Sequence, residues 1–116
     1  IVIKLKVLSR DNYLKNYRNI LFDFRDSYGL KISDIEFLFF VYDMENFTTK
    51  YISVDYRCSN SFVTRNLPEL LKKGYIKIYL ERAHGRSRKY MISQNGKLLV
   101  TRFYRLLKET TYGTFK

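Results

Sequence analysis

Residues 59–93 read SNSFVTRNLPELLKKGYIKIYLERAHGRSRKYMIS. Ser59 is a good helix N-cap, because its side-chain oxygen can accept from one of the backbone N–H groups a helix start leaves unpaired. The spacing predicts a helix from Asn60 to Lys73, stopped by Gly74, which suits the left-handed position after a helix end. At 100° per residue, Val63, Leu67, Leu70 and Leu71 share one face, with Phe62 at its margin. Ser61, Thr64, Arg65, Glu69 and Lys72 share the other. Pro68 falls on the polar side, removes a hydrogen bond to the residue-64 carbonyl and clashes with it, at about 3 kcal/mol. A kink between Thr64 and Leu67, or a helix that starts late, is expected.

After Gly74 the period changes. Tyr75, Ile76, Ile78, Tyr79 and Leu80 are strand formers. Ala83-His84-Gly85-Arg86 supplies a turn, with Gly85 free to take positive φ, and Lys89-Tyr90-Met91-Ile92 returns. Arg82, His84, Arg86, Arg88 and Lys89 crowd the tip. A helix carrying hydroxyls and an arginine near its N-terminus, followed by a cationic hairpin, is the plan of a winged helix: the helix suits a major groove, the hairpin a phosphate backbone or a minor groove. The competing readings are a surface helix with a solvated polar face and a charged hairpin that resists edge-to-edge aggregation. The density of positive charge at the tip exceeds what the latter needs.

The runs Val63-Thr64-Arg65-Asn66-Leu67, Leu70-Leu71-Lys72-Lys73-Gly74-Tyr75-Ile76, Arg86-Ser87-Arg88-Lys89-Tyr90 and Ile92-Ser93-Gln94-Asn95-Gly96 together resemble the MarR-type winged helix-turn-helix DNA-binding family, over roughly residues 37–104. In that family the first run is the recognition helix, Gly-Tyr-Ile begins the wing, the arginines form its tip, and Ser/Thr-x-x-Gly opens the final helix. Here Ser93 stands where threonine is usual, and Pro68 where a helical residue is. The resemblance implies an α+β, mostly α, fold: a winged helix-turn-helix with a two-stranded basic wing and flanking N- and C-terminal helices.

The chain has 116 residues, enough for one domain with a real core, and 46% hydrophobic content argues against global disorder. Its net charge of +11 is unevenly spread: residues 1–58 hold 9 Lys/Arg against 8 Asp/Glu, residues 59–116 hold 13 against 3. The excess lies with the helix and hairpin, the footprint of a polyanion binder, which does not by itself separate DNA from RNA or an anionic membrane. The lone cysteine, Cys58, excludes an internal disulfide and any cysteine-rich zinc site, and reads as a small buried residue rather than a redox sensor. The longest apolar run, Phe37 to Tyr42, is far too short to span a bilayer. No secretory signal is read at the N-terminus, and a cytoplasmic protein is expected.

The organisation expected is a single domain, with residues 1–32 an N-terminal segment and helix, 33–93 the winged-helix core and 94–116 a C-terminal helix and tail. Residues 1–8 read as a short strand or a helix lead-in, and the alternation of Ile1, Ile3, Leu5 and Val7 favours the strand. Ser9 then caps a helix from Arg10 to about Tyr28, ended by Gly29. Ser33 and Glu36 form a capping box for a helix apolar on nearly every side (Ile35, Phe37, Leu38, Phe39, Phe40, Val41, Met44), hence buried. Residues 51–57 alternate like a strand, but the resemblance places there the first helix of the helix-turn-helix, with Ile52, Val54 and Tyr56 reaching the core. Ser93 caps a last helix, Gln94 to about Thr110. Gly96 near its start signals a close backbone approach. The face formed by Leu98, Leu99, Phe103, Leu106 and Leu107 is wider than one small domain needs and implies a symmetric dimer. By comparison with the family, a further C-terminal helix is expected to be missing.

These observations point to sequence-specific binding of double-stranded DNA by a transcriptional regulator, a homodimer through its N- and C-terminal helices. Ser61, Thr64 and Arg65 would read bases, Asn60 backbone or base, and Arg82, His84, Arg86 and Arg88 would hold the minor groove and phosphates. Lys72, Lys73 and Lys89 would add salt-sensitive attraction. The alternative is a winged-helix module of a replication, mobile-element or virion assembly, binding nucleic acid or protein without sequence-specific regulation. An enzyme is not expected: there is one His, no paired-carboxylate signature, no Gly-rich phosphate loop and no metal-ligand spacing. No cofactor or metal is implied. A small-molecule effector is compatible with the resemblance, but no residue identifies one.

Overall fold

The computed structural model of the chain describes residues 2–56, 59–83 and 85–112, with side chains for 13–56, 59, 61–83 and 85–110. The elements run α1 (Val2–Tyr28), α2 (Ile32–Val41), α3 (Thr49–Asp55), α4 (Asn60–Lys72), β1 (Ile76–Leu80), β2 (Lys89–Ile92) and α5 (Gln94–Tyr112). They form two compact units, residues 1–35 with 101–116, and residues 36–100. Cys58, His84 and the side chain of Asn60 lie outside the described residues.

In the first unit the expected N-terminal strand is instead the start of α1, and Ser9 lies within the helix rather than capping it. Period-two alternation over so few residues is a weak signal. Lys and Leu are good helix formers, and extending an existing helix avoids the cost of nucleating one. Ile20, Leu21 and Phe24 are buried as the helical period requires. Phe24 and Tyr17 both meet Phe103 of α5 edge-on, at 5.2 and 5.5 Å between ring centroids. Asn16 Nδ2 donates to the Thr110 carbonyl at 3.2 Å, and Arg102 Nη1 to the Tyr28 hydroxyl at 2.5 Å, so α1 and this half of α5 run antiparallel. Gly29, at φ 65°, ends α1 with its N–H on the Arg25 carbonyl. Leu30 is buried, and only two residues separate Gly29 from α2. The helix therefore begins earlier than the capping box implied: the Lys31 carbonyl accepts from the N–H groups of Asp34 and Ile35 at 3.0 and 3.1 Å, and Ser33 sits inside the first turn. The acid in that turn is the buried Asp34, favourably placed at the positive end of the helix dipole.

The second unit is built on aromatic rings. Phe37 of α2 packs edge-on against Phe47, Tyr56 and Phe62 at 5.9, 5.6 and 6.3 Å, an arrangement that sets ring edges against the electron-rich faces. Ile52 of α3, Leu70 of α4, Ile76 and Ile92 of the hairpin and Leu99 of α5 are almost wholly enclosed. Residues 49–55 are helical, capped by the Thr48 hydroxyl, which accepts from the Tyr51 N–H at 3.2 Å. Because α3 is a helix, Val54 points about 200° away from Ile52 and is 67% exposed, contrary to the expected core contact. Met44 falls beyond the end of α2, in the turn before Phe47.

β1 and β2 pair antiparallel, Ile76 opposite Ile92 and Ile78 opposite Tyr90. Phe47 adds a one-residue third rung on the other side of β2: its N–H donates to the Tyr90 carbonyl and its carbonyl accepts from the Tyr90 N–H, both at 2.8 Å. The hairpin meets α5 at a tight junction. Ser93 Oγ donates to the Gly74 carbonyl at 2.5 Å and accepts from the Gly96 N–H at 3.1 Å, the expected cap. Gly74 takes φ 83°. A Cβ on Gly96 would lie 2.4 Å from the Tyr75 carbonyl oxygen and 2.6 Å from Ile92 Cγ1, so this glycine is dictated by a backbone approach.

Gly96→Ala tests that junction. Alanine gains about 1 kcal/mol in helix propensity over glycine, but forcing a methyl against a backbone carbonyl costs about 1–3 kcal/mol or more. The variant should melt several degrees below the wild type in a thermal denaturation; a raised Tm would remove the close-approach account.

Candidate nucleic-acid interface

Helix α4 forms because its caps and its apolar stripe agree. Ser59 Oγ accepts from the Phe62 N–H at 3.1 Å. Val63, Leu67 and Leu70 are buried, and Asn66, also buried, turns its Nδ2 back to the Phe62 carbonyl at 2.9 Å. Ser61, Thr64, Arg65, Glu69 and Lys72 are all exposed, so the polar face read from the period is real. Arg65 Nε lies 3.4 Å from the Ser61 carbonyl, one turn back along the helix. Lys73 is the exposed C-cap. Pro68 lies within a helix that already begins at Asn60, which excludes the late start.

In the wing the register shifts between Ile78 and Leu80, so that Leu80 faces Lys89; such a bulge increases local twist. The tip closes where the Arg86 N–H donates to the Ala83 carbonyl at 3.0 Å, with Gly85 at φ 78°. Arg82 and Arg86 are exposed, Arg88 and Lys89 partly so. Among the described residues neither Arg86 nor Lys89 makes an ion pair, whereas Arg88 does: its Nε donates to Glu81 Oε1 at 2.5 Å. The same oxygen accepts from the Arg82 backbone N–H at 3.2 Å. The Arg82 N–H, and after it the Arg88 guanidinium, hold the Glu81 carboxyl below its ordinary value. Glu81 and then the Tyr90 hydroxyl hold the Arg88 guanidinium above its own.

The helix and the wing share a cleft of about 450 Å³, lined by Thr64 and Pro68 of α4, Thr49 and Ser53 of α3, and Arg88 and Tyr90 of the wing. Of the expected site residues, Thr64 and Arg88 are thus brought to one groove. Ser61, Arg65 and Lys72 share the exposed face of α4, and Arg82 and Arg86 lie by the wing tip. Asn60 and His84, also expected there, are among the side chains not described. Sequence reasoning missed Thr49 and Ser53, one helical turn apart, with Ser53 Oγ donating to the Thr49 carbonyl at 3.1 Å. The Thr48 cap, four residues before Ile52, was the available signal. It also missed Glu81 as the partner of Arg88. Among the described residues no cluster of His, Cys, Asp and Glu could hold a metal ion, and no helix is long and apolar enough to cross a membrane.

No protein-family model matches the chain, and no curated protein is significantly similar to it in sequence. Solved structures are similar. Transcriptional regulator Tm0710 from Thermotoga maritima matches 98% of this chain and 79% of its own at a TM-score of 0.72 and 17% identity. A cysteine-to-serine mutant of MarR from E. coli, complexed with operator DNA, matches 97% of this chain and 80% of its own at 0.67 and 15%. Reduced AbfR bound to DNA matches 98% and 83% at 0.66 and 15%. The fold is the MarR-type winged helix.

The Glu81–Arg88 pair has a pH signature. Because folding lowers the Glu81 value, its contribution is full above the unfolded carboxyl's value and is lost as the pH falls through the folded one. Arg88→Gln should raise the Glu81 titration without restoring it fully, since the Arg82 N–H remains. Carbon-detected NMR of the Glu81 carboxyl follows this directly; an unmoved titration would mean that the pair does not form in solution.

Proposed function

We propose that this MarR-type winged helix binds double-stranded DNA in the cytoplasm as a dimeric, sequence-specific transcriptional regulator, acting by binding and not by catalysis. α4 enters the major groove, where Ser61, Thr64 and Arg65 meet base edges, and Asn60 meets backbone or base. The wing, through Arg82, His84, Arg86 and Arg88, takes the adjacent minor groove and phosphates, while Lys72, Lys73 and Lys89 add attraction that weakens with salt. The observation that carries this reading is the shared groove. Thr64 of α4 and Arg88 of the wing line the same cleft of one compact unit, so helix and hairpin can straddle one duplex. The two similar proteins described above with DNA bound support the same partner.

The dimer is proposed from apolar surface left open on the helices. Leu14 of α1 is 59% exposed and Tyr104 of α5 66%, with Tyr13 and Leu106 also uncovered. A second copy offering the same surface would bury them in a two-fold interface, and the two wings would then meet related half-sites.

Selection from a random duplex pool followed by binding against rising salt tests the reading. Arg86→Gln should weaken binding to all duplexes alike and flatten the slope of log K against log salt by about 0.9, the value of one phosphate contact. Arg65→Ala should relax preference at one position, by about 1–3 kcal/mol if the arginine reads a guanine. Preference of only a few-fold between selected and random duplexes would leave a sequence-blind nucleic-acid binder instead. For the dimer, Leu14→Glu with Tyr104→Glu should shift sedimentation from dimer to monomer while far-ultraviolet circular dichroism stays unchanged; a wild type that sediments as a monomer would exclude the interface.

A further inference from the structure

From Leu70 to Lys108 the chain contains a single acidic residue, Glu81, among eleven lysines and arginines. That one carboxylate is not left to solvent. It sits just past the end of β1, takes the backbone N–H of Arg82 and binds Nε of Arg88, just before β2. The neck of the wing is therefore bridged by an ion pair that occupies an arginine lining the groove beside α4.

Both partners stay open to solvent, at 40% exposure for the Arg88 side chain and 61% for Glu81. An exposed pair contributes little to stability. It is also within reach of a competing anion. A DNA phosphate offers the guanidinium the same kind of charge-assisted bond that the carboxylate does, and a polyanion adds the release of its condensed counterions. The exchange of Glu81 for phosphate on Arg88 is thus close to balanced in contact energy and driven by the duplex.

We propose that Glu81 is an internal competitor for the DNA backbone: it holds Arg88 in the free protein and gives it up to phosphate in the complex, so that it sets how weakly the wing binds duplex of any sequence. This inference rests on the DNA-binding reading above. Its consequence is selectivity. A wing whose cations were all free would gain affinity for every duplex through phosphate contacts, which carry no sequence information. A carboxylate that must be displaced subtracts from that shared term and leaves base reading by α4 untouched.

The test is a double-mutant cycle on the 116-residue chain, with a random-sequence duplex of about 26 base pairs as the probe, at constant salt. Glu81→Gln should tighten binding about two- to fivefold, the equilibrium worth of an exposed pair. In an Arg88→Gln background the same change should have much less effect, since no pair is left to break. Glu109→Gln, which removes an equal charge from the exposed surface of α5, controls for the general field. An equal gain in both backgrounds, or from Glu109→Gln, would reduce Glu81 to bulk charge and overturn the exchange. Weaker binding by Glu81→Gln would overturn it too, by making Glu81 a support for Arg88 in the bound geometry. A wild type that binds no duplex at any salt would instead remove the DNA-binding reading itself.

Discussion

Phe47 and Tyr90 exchange both backbone hydrogen bonds, and the rest of the second unit depends on that exchange. A two-stranded hairpin is marginal in water on its own and needs a further strand or a helix to pack on. Here the added rung is one residue long, yet it comes with a ring. Phe47 is buried edge-on against Phe37 of α2 and stacks near-parallel on Tyr90 at 6.0 Å. Backbone pairing aligns β2, and ring packing ties that alignment to the helices. Arg88 lies two residues before Tyr90, so the position of the wing's arginine relative to α4 is inherited from this contact.

The opposite end of the hairpin is held differently. Gly74, Ser93 and Gly96 bring the end of α4, the end of β2 and the start of α5 within hydrogen-bonding distance, and no side chain larger than a hydrogen fits at Gly96. One junction uses apolar burial, the other backbone proximity. Between them the wing is anchored at its root while its tip, with Arg82 and Arg86, remains in solvent. Exposed charges there add little to folding. Their concentration is better explained by what the surface meets than by what it stabilises.

Much of the candidate site was legible in the residues. The α4 face carrying Ser61, Thr64, Arg65 and Lys72 follows from helical period, the Ser59 cap from its hydroxyl, and the close approach at Gly96 from a glycine placed where a helix disfavours one. What misled was short-range pattern without its surroundings. Ile3, Leu5 and Val7 alternate like a strand but lie within α1, because a helix already present extends at little cost. Ile52, Val54 and Tyr56 alternate too, yet only Ile52 is fully enclosed and Val54 faces water. Ser33 and Glu36 resemble a capping box, but burial of Leu30 leaves too short a connection, and α2 starts at Ile32.

Sequence by itself determined the order of elements from Ser59 onward, the polar face of α4, the basic turn and the concentration of positive charge in the second half. Each of these is a local property, set by side-chain type and by the period of the backbone. Tertiary structure alone decided that Phe47 joins β2 as a third rung, that Thr49 and Ser53 share a groove with Thr64, and that Glu81 is spent on Arg88. Those pairings join residues whose separation along the chain says nothing of their distance in space. They come into being only when burial of the aromatic core fixes which surfaces face one another.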